Sequence, residues 1–379
     1  MAETADPLGF SAESQALARE LFRSRLRLGS LRAGLFVIAL LAFLALGWSS
    51  ALREWARDGP TWAAVFRYVT PLYLGLWALG LPFAGYTHIL DRRYGLSRQG
   101  WPGWALDDVK AGLLGYGFAF VAVAVLYWIL AEFPGTWWII AWGLGLAFAL
   151  LASVVVPVLL VRVFFRLERL NDSLLEERFR ELAKRAGVPV IGVFVLRASA
   201  KTARSNAALA GFGRTRRVIV TDTLLSSHTP DEIETILAHE LAHQKHHDFA
   251  IGLGVFASIS LIIVGLLQVG LPWAADRAGL QGIADLAGLP ILMLLTAAIS
   301  TVLGPLDRSF SRWREGRADR FALDLTLKPE AFSAAFVKLH DENLSLARPP
   351  RLFEVLVMTH PAGWRRVSRA RAFHGRALK

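Results

Sequence analysis

The chain has 379 residues, 54% of them hydrophobic, with thirteen Trp and a mean hydropathy of +0.41. That composition excludes an ordinary water-soluble domain. With no cysteine, disulfides, thiolate catalysis and cysteine-held zinc are excluded as well, so any metal must rest on His and carboxylates.

From the N-terminus, an arm carrying Arg19, Arg23, Arg25, Arg27 and Arg32 leads into the first apolar run. The arm lacks the shape of a cleavable signal, so the first run is expected to stay as an anchor. Six runs reach the roughly 20 residues that a bilayer crossing needs. They are Ala33–Leu52, Val65–Leu90, Val109–Phe133, Trp137–Phe165, Phe249–Leu271 and Leu289–Leu306. Six such runs cannot all be cores in a chain of this length. Lys and Arg crowd the arm, the 91–110 loop and the segments 166–248 and 308–379, while the alternate loops are poor in them. This is the positive-inside pattern, with both termini cytoplasmic. The net charge of +11 therefore reads as membrane orientation, and no nucleic-acid partner is expected.

Between the fourth and fifth runs lies a polar segment. Ser173 and Glu176 have the spacing of a capping box, and the helix they open should end at Gly187, before Pro189. Residues 190–196 and 217–225 are rich in β-branched side chains and read as strands, with 205–213 extended between them. The expected fold class is mainly α: a polytopic membrane bundle of about six helices with a small α+β unit. Residues 1–165 would form an N-terminal membrane domain of four spans. Residues 166–379 would form a peptidase domain holding two more, near 249–271 and 289–306.

The chemistry concentrates in 237-LAHELAHQKHHDFA-250, where four of the nine histidines fall. Thr229, Pro230 and Glu232 mark a helix start. On that helix His239 and His243 share a face, with Glu240 beside them. This is HExxH: two neutral imidazoles that grip zinc, and a carboxylate that takes a proton from an attacking water. His246 and His247 are rejected as ligands, because three side chains along a straight helix, about 5.4 Å apart per turn, cannot converge on one ion. They are read instead as interfacial residues ahead of the fifth span. His88 is placed near a span end, and His228, His340 and His374 are expected to be solvated.

A catalytic zinc needs a third protein ligand and an open position. The segment 311-SRWREGRADRFAL-323 offers Glu315, with Asp319 one turn on. Glu315 would complete a His₂Glu site, and Asp319 would accept the remaining ring N–H of a ligating His, His239 first. Counted at 1.5 Å per residue from the fifth and sixth spans, both segments lie about 9–14 Å beyond the same membrane face. Two helices continuing straight out of those spans would meet there. A channel or transporter with a structural zinc is the reading from another class, but it gives Glu240 no purpose beside an open position.

HELAH at 239–243 followed by SRWREGRAD at 311–319 resembles the CAAX prenyl protease type I family of integral-membrane zinc metallopeptidases. Three further stretches agree: 204-RSNAALAGFGRTRRVIVTDTLL-225, 86-YTHILDRRYGLSRQ-99 and 360-HPAGWRR-366. The resemblance runs from about residue 80 to 372. It implies one zinc on His239, His243 and Glu315, Glu240 as catalytic base, and Asp319 as the partner of a ligand. It also places Asn206, His360 and Arg366 on the substrate side, His360 as a catalytic group. The family's fold is a ring of membrane helices around a chamber, with the zinc site at its cytoplasmic end. The chain departs from it in having six spans where eukaryotic members have seven, Ala362 where a second Pro is usual, and Asp307 where Asn is. A related branch, bacterial heat-shock membrane proteases, shares the zinc motifs and degrades misfolded membrane proteins. The expected substrate is a peptide bound as an extra strand along 204–211, with Asn206 as an amide clamp and Arg366 on a substrate carbonyl, on Asp319, or in water among Arg365 and Arg369. Short loops and a compact chain suggest the inner membrane of a bacterium.

Overall fold

A computed structural model of the chain describes residues 6–211 and 213–373, except the side chains of 157, 158, 160, 162 and 214. His374 lies outside the described residues. Five helices come first: α1 (Ala12–Ala45), α2 (Trp48–Ala56), α3 (Thr61–Arg93), α4 (Trp101–Glu132) and α5 (Trp137–Phe164). The polar segment holds β1 (Leu167–Arg169), α6 (Ser173–Arg185), β2 (Val193–Leu196), β3 (Ala207–Ala210), β4 (Arg217–Thr221), α7 (Asp222–Ser227) and α8 (Pro230–Lys245). Then follow α9 (Asp248–Arg277), α10 (Leu289–Thr326), α11 (Pro329–Glu342), α12 (Arg351–Leu356) and α13 (Gly363–Phe373).

Among the described residues, α1, α3, α4, α5, α9 and α10 are long and apolar enough to cross a membrane. The first apolar run does not continue to Leu52 as expected. Gly47, at φ 71°, is left-handed and ends the helical path, so α2 is a separate piece. In the other direction α1 extends back through the basic arm to Ser11, whose side chain accepts the Ser14 N–H.

The four strands form one sheet in the order β1-β2-β4-β3, with β2 and β4 parallel and both outer pairs antiparallel. β3 is therefore an edge. The expected strand over 217–225 stops at Thr221, because the Thr221 hydroxyl accepts the Leu224 N–H and starts α7 instead. β1 was not anticipated; three residues carry no periodicity. The expected Ser173 cap moves by one residue, to Asp172, whose carboxylate takes the Leu175 N–H at 3.0 Å.

Two large apolar cores stand out, beside a small cluster of Leu21, Leu90 and Leu96. One joins the sheet (Val193, Val195, Val218, Val220) to α8 (Ile233, Leu237, Leu241), α11 (Phe332, Phe336) and α13 (Val367), and it also takes Phe10 from the arm. The other gathers Leu40 of α1, Tyr68 of α3, Tyr127 and Leu130 of α4, Trp137 of α5, Leu271 of α9 and Leu292 of α10. Between them neighbouring spans pair side by side: Thr70 Oγ1 lies 2.6 Å from Tyr116 OH, and Trp142 Nε1 donates to the Ala257 carbonyl at 3.0 Å. In the most apolar 18-residue windows the buried share runs from 0% in α5 to 28% in α10, so most of each span's surface is left uncovered by protein.

The far end is locked by polar contacts. Ser49 Oγ lies 2.7 Å from Tyr68 OH and 2.7 Å from the Ala287 carbonyl, and Arg53 pairs at 2.5 Å with Asp285, whose side chain is fully buried. Arg53→Met leaves that carboxylate only the Gln281 and Ala287 N–H groups and should cost on the order of 1–3 kcal/mol. Thermal melting of the detergent-solubilised chain checks this, and a wild-type midpoint would contradict it.

Two histidines expected in solvent are not there. His228 is buried beside α8, its Nδ1 2.7 Å from Ser227 Oγ. His340 bonds the Phe336 carbonyl at 2.8 Å through Nδ1, and burial pushes its pKa down to about 4. His88 does sit near the end of α3, stacked on Trp104.

Candidate active site

α8 begins as the sequence indicates. Thr229 Oγ1 accepts the Glu232 N–H, and Glu232 Oε2 accepts the Thr229 N–H at 2.7 Å. This capping box fixes the register that puts His239 and His243 side by side, ring centroids 4.9 Å apart. α10 runs unbroken from the membrane to Thr326 and carries Glu315 and Asp319 to them. α8 does not continue into α9. His247, at φ 56°, breaks the path, so the expectation of two helices running straight out of the spans holds for α10 and fails for α8.

His239 Nε2 lies 3.2 Å from Glu315 Oε2, and His243 Nε2 lies 3.5 Å from Glu315 Oε1. One ligand atom from each of these residues falls within 4.8 Å of the other two. The outer ring nitrogens are both occupied. His239 Nδ1–H donates to Asp319 Oδ1 at 3.0 Å, and His243 Nδ1–H donates to Asp248 Oδ2 at 2.8 Å. Fixing those protons on Nδ1 leaves both Nε2 lone pairs facing Glu315. Glu315 Oε2 is buried and accepts no hydrogen bond. A buried, unsatisfied carboxylate oxygen facing two imidazole lone pairs is the donor set of a cation. The residues fit zinc.

Asp248 was missed by the sequence reading. On a continuous helix it would stand about 7.5 Å along the axis from His243; the left-handed turn at His247 folds it back. Asp248 is itself held by Arg317, and Arg314 Nη1 donates to its carbonyl at 2.9 Å. Arg366, expected on a substrate carbonyl or on Asp319, is buried on Asp319: Nε lies 3.0 Å from Oδ2, and Nη2 also contacts Oδ1. Its guanidinium carbon stands 3.7 Å from the centroid of the Phe336 ring.

Burial lowers the His239 pKa, but the carboxylates of Asp319 and Glu315 beside it outweigh that and lift the value to about 9. Burial raises the Glu240 carboxyl above the ordinary carboxylate range. His360 stands at the open side: its side chain is 56% exposed, and its Nε2 is 3.4 Å from Glu315 Oε1. Its Nδ1 lies 2.9 Å from Thr359 Oγ1.

Two family models match the chain in succession. "CAAX prenyl protease N-terminal, five membrane helices" covers residues 9–166, and "Peptidase family M48" covers residues 169–374. The chain belongs to peptidase family M48. It is an M48 membrane metallopeptidase of the CAAX-protease-like kind. An "Uncharacterized metalloprotease YhfN" of Bacillus subtilis (strain 168) is 29% identical, over 97% of this chain and 88% of that one. A "CAAX prenyl protease 1 homolog" of Arabidopsis thaliana is 29% identical over 79% of this chain and 70% of its own length. The "Probable CAAX prenyl protease 1" of Schizosaccharomyces pombe is 26% identical, and this chain spans only 64% of it. In fold the chain is similar to S. mikatae Ste24p, with a TM-score of 0.85, 20% identity and coverage of 97% of this chain and 92% of that one.

The departures from the M48 relatives' pattern now have a setting. Ala362 keeps a backbone N–H that proline would lack, and it donates to buried Glu354 Oε1 at 3.2 Å. Arg365 Nε joins the same oxygen at 3.0 Å. Asp307 is exposed on α10, and nothing in the structure explains it. In the N-terminal region, α2 with α1, α3, α4 and α5 makes five helices among the described residues, four of them long enough to span. The 86–99 stretch braces the approach to β3: Arg98 N–H donates to the Lys201 carbonyl at 2.9 Å, and Ala203 N–H to the Leu96 carbonyl at 3.2 Å.

Proposed function

We propose that the chain is a zinc-dependent endopeptidase that cleaves extended peptides, with its active site on the cytoplasmic side of a bacterial inner membrane. The observation that carries this is the convergence of His239, His243 and Glu315, with both outer ring nitrogens taken by carboxylates and Glu240 beside them. Bound there, zinc supplies polarisation of the scissile carbonyl and acidification of an attacking water. Glu240 takes the proton of that water and hands it to the leaving amine; its buried setting suits a carboxylate that must do both. His360 donates from Nε2 to the carbonyl oxygen as charge develops on it. Asp319 and Asp248 hold the imidazoles, and Arg366 holds Asp319. A purely structural ion would use neither Glu240 nor the open side where His360 stands. The arm supports the orientation: Ser11 N–H donates to Asp341 Oδ2 at 2.9 Å, so the basic N-terminal segment lies on the same side as the site.

The substrate is an added strand on β3. Thr221 N–H bonds the Asn206 carbonyl at 3.0 Å, so by antiparallel alternation the backbone groups of Ala207 and Leu209 point to the free edge. Asn206 Oδ1 takes the Ala207 N–H at 2.9 Å, which leaves the exposed Asn206 Nδ2 as a donor for a substrate carbonyl. Pairing of this kind grips backbone and selects extended chains over particular side chains. Leu209→Pro removes one free-edge donor, worth about 1 kcal/mol, and should lower kcat/KM about five- to tenfold with zinc content unchanged. Ala208→Pro, which breaks the β3–β4 ladder itself, serves as the unfolding control. Wild-type cleavage by Leu209→Pro would place the substrate elsewhere.

A further inference from the structure

Behind the zinc site, α10 and α13 enclose a cavity of about 560 Å³. Arg312, Trp313, Arg317 and Arg320 line it from α10, and Arg369 and Phe373 from α13. Four arginines thus line one cavity, two of them with partners and, among the described residues, two without. Arg317 gives Nη2 to Asp248, but its Nε is buried without an acceptor. Arg312 gives Nη1 to the Met358 carbonyl at 2.7 Å. Arg320 and Arg369 are exposed and meet no acceptor among the described residues. The one carboxylate in the lining, Asp319, is already taken by Arg366. Gly316 lies between them, and Arg369 Nη1 comes within 3.1 Å of where a Cβ would stand, so the missing side chain is what lets Arg369 lie over α10.

We propose that this cavity binds a phosphate-bearing anion, held chiefly by Arg320 and Arg369, with Arg312 and Arg317 lining the same wall. Guanidinium forks match phosphate oxygens in pairs, and converging, unpaired forks repel one another until an anion arrives. Membrane orientation asks only for positive charge near the cytoplasmic face; it does not ask for a concave site lined by four arginines and one carboxylate that is already paired. Two sources share the chemistry: the headgroup of an acidic phospholipid and a soluble phosphate compound. Trp313 stands about 10 Å beyond Leu306 along α10 and Arg320 about 21 Å, so a headgroup enters from the Arg312 end and a soluble anion from the Arg320 end. Either ligand ties α13 to α10. Arg366 precedes Arg369 by one turn of α13, so the tie steadies the guanidinium that holds Asp319 against His239. That link to turnover rests on the function proposed above; the binding itself does not.

The test uses the zinc-loaded full chain in phosphatidylcholine nanodiscs. Inorganic pyrophosphate is titrated calorimetrically, and retained phosphatidylglycerol is counted by native mass spectrometry after mixed-lipid reconstitution. Arg320→Gln/Arg369→Gln removes two exposed groups that have no acceptor among the described residues, and should weaken binding by about tenfold or more. Arg19→Gln/Arg27→Gln, exposed arginines of the arm with the same charge loss, should leave it unchanged. Binding of pyrophosphate alone assigns a soluble ligand, and of phosphatidylglycerol alone a headgroup; either upholds the site. The proposal is overturned if neither probe binds the wild type, if the double variant binds as well as wild type, or if the arm control loses as much.

Discussion

Glu240→Gln should lose peptide cleavage by about 10²- to 10⁴-fold in kcat while zinc content and melting stay at wild-type values. Gln nearly matches Glu in shape, so packing on α8 survives. Glu240 is not among the three residues whose ligand atoms converge, so the metal is kept. What goes is a carboxylate beside the pair of imidazoles that, unlike Asp319 and Asp248, is not bonded to their ring nitrogens. Glu315 cannot stand in, since its oxygens face His239, His243 and His360. Steady-state kinetics on the purified protein, with zinc measured on the same sample, separates the outcomes. Turnover within a few fold of wild type would mean that another group is the base.

Glu315→Ala should lose zinc and activity together. Removing an outer partner of a ligand typically costs about 10–100-fold in metal affinity, and removing a ligand costs more. The variant leaves two histidines at the site, too few for a closed set. His246→Ala and His247→Ala should retain wild-type zinc for reasons the structure makes specific. His246 ends α8 with its ring against Phe321, and His247 occupies the left-handed break before α9. Metal analysis of all three variants decides it; full zinc in Glu315→Ala would remove Glu315 from the ligand set. A matching loss in His247→Ala would show instead that the break, by placing Asp248 under His243, is required to hold the metal.

The spans were legible because membrane burial leaves an unmistakable mark: long apolar runs with basic loops on alternate sides. α8 was legible because Thr229, Pro230 and Glu232 encode its start locally. The meeting of Glu315 with the histidines followed from counting residues outward from the membrane, and α10 does run straight enough for that count to work. What escaped the sequence depends on backbone turns and long-range pairing. The break at His247 has no Gly or Pro to announce it, and without the break Asp248 looks like a solvated first residue of a span. Arg366 stood among several arginines of the tail, and only the packing of α13 on α11 shows that it is buried on Asp319 over Phe336. The burial of His340 has the same origin, since a Cβ on Gly363 would fall 2.4 Å from its ring nitrogen. Gly363 lets α13 close over it. Strand β1 and the one-residue shift of the α6 cap to Asp172 are settled by sheet pairing and by which of two adjacent side chains reaches the free N–H.

The most direct measurement is anomalous diffraction at the zinc edge from crystals of the zinc-replete full chain. The account predicts one strong peak among His239 Nε2, His243 Nε2 and Glu315, at bonding distances of about 2.0–2.2 Å, with Asp319 and Asp248 remaining on the outer ring nitrogens. A peak held by His246 or His247, or no peak at this site in protein that carries zinc, would contradict it.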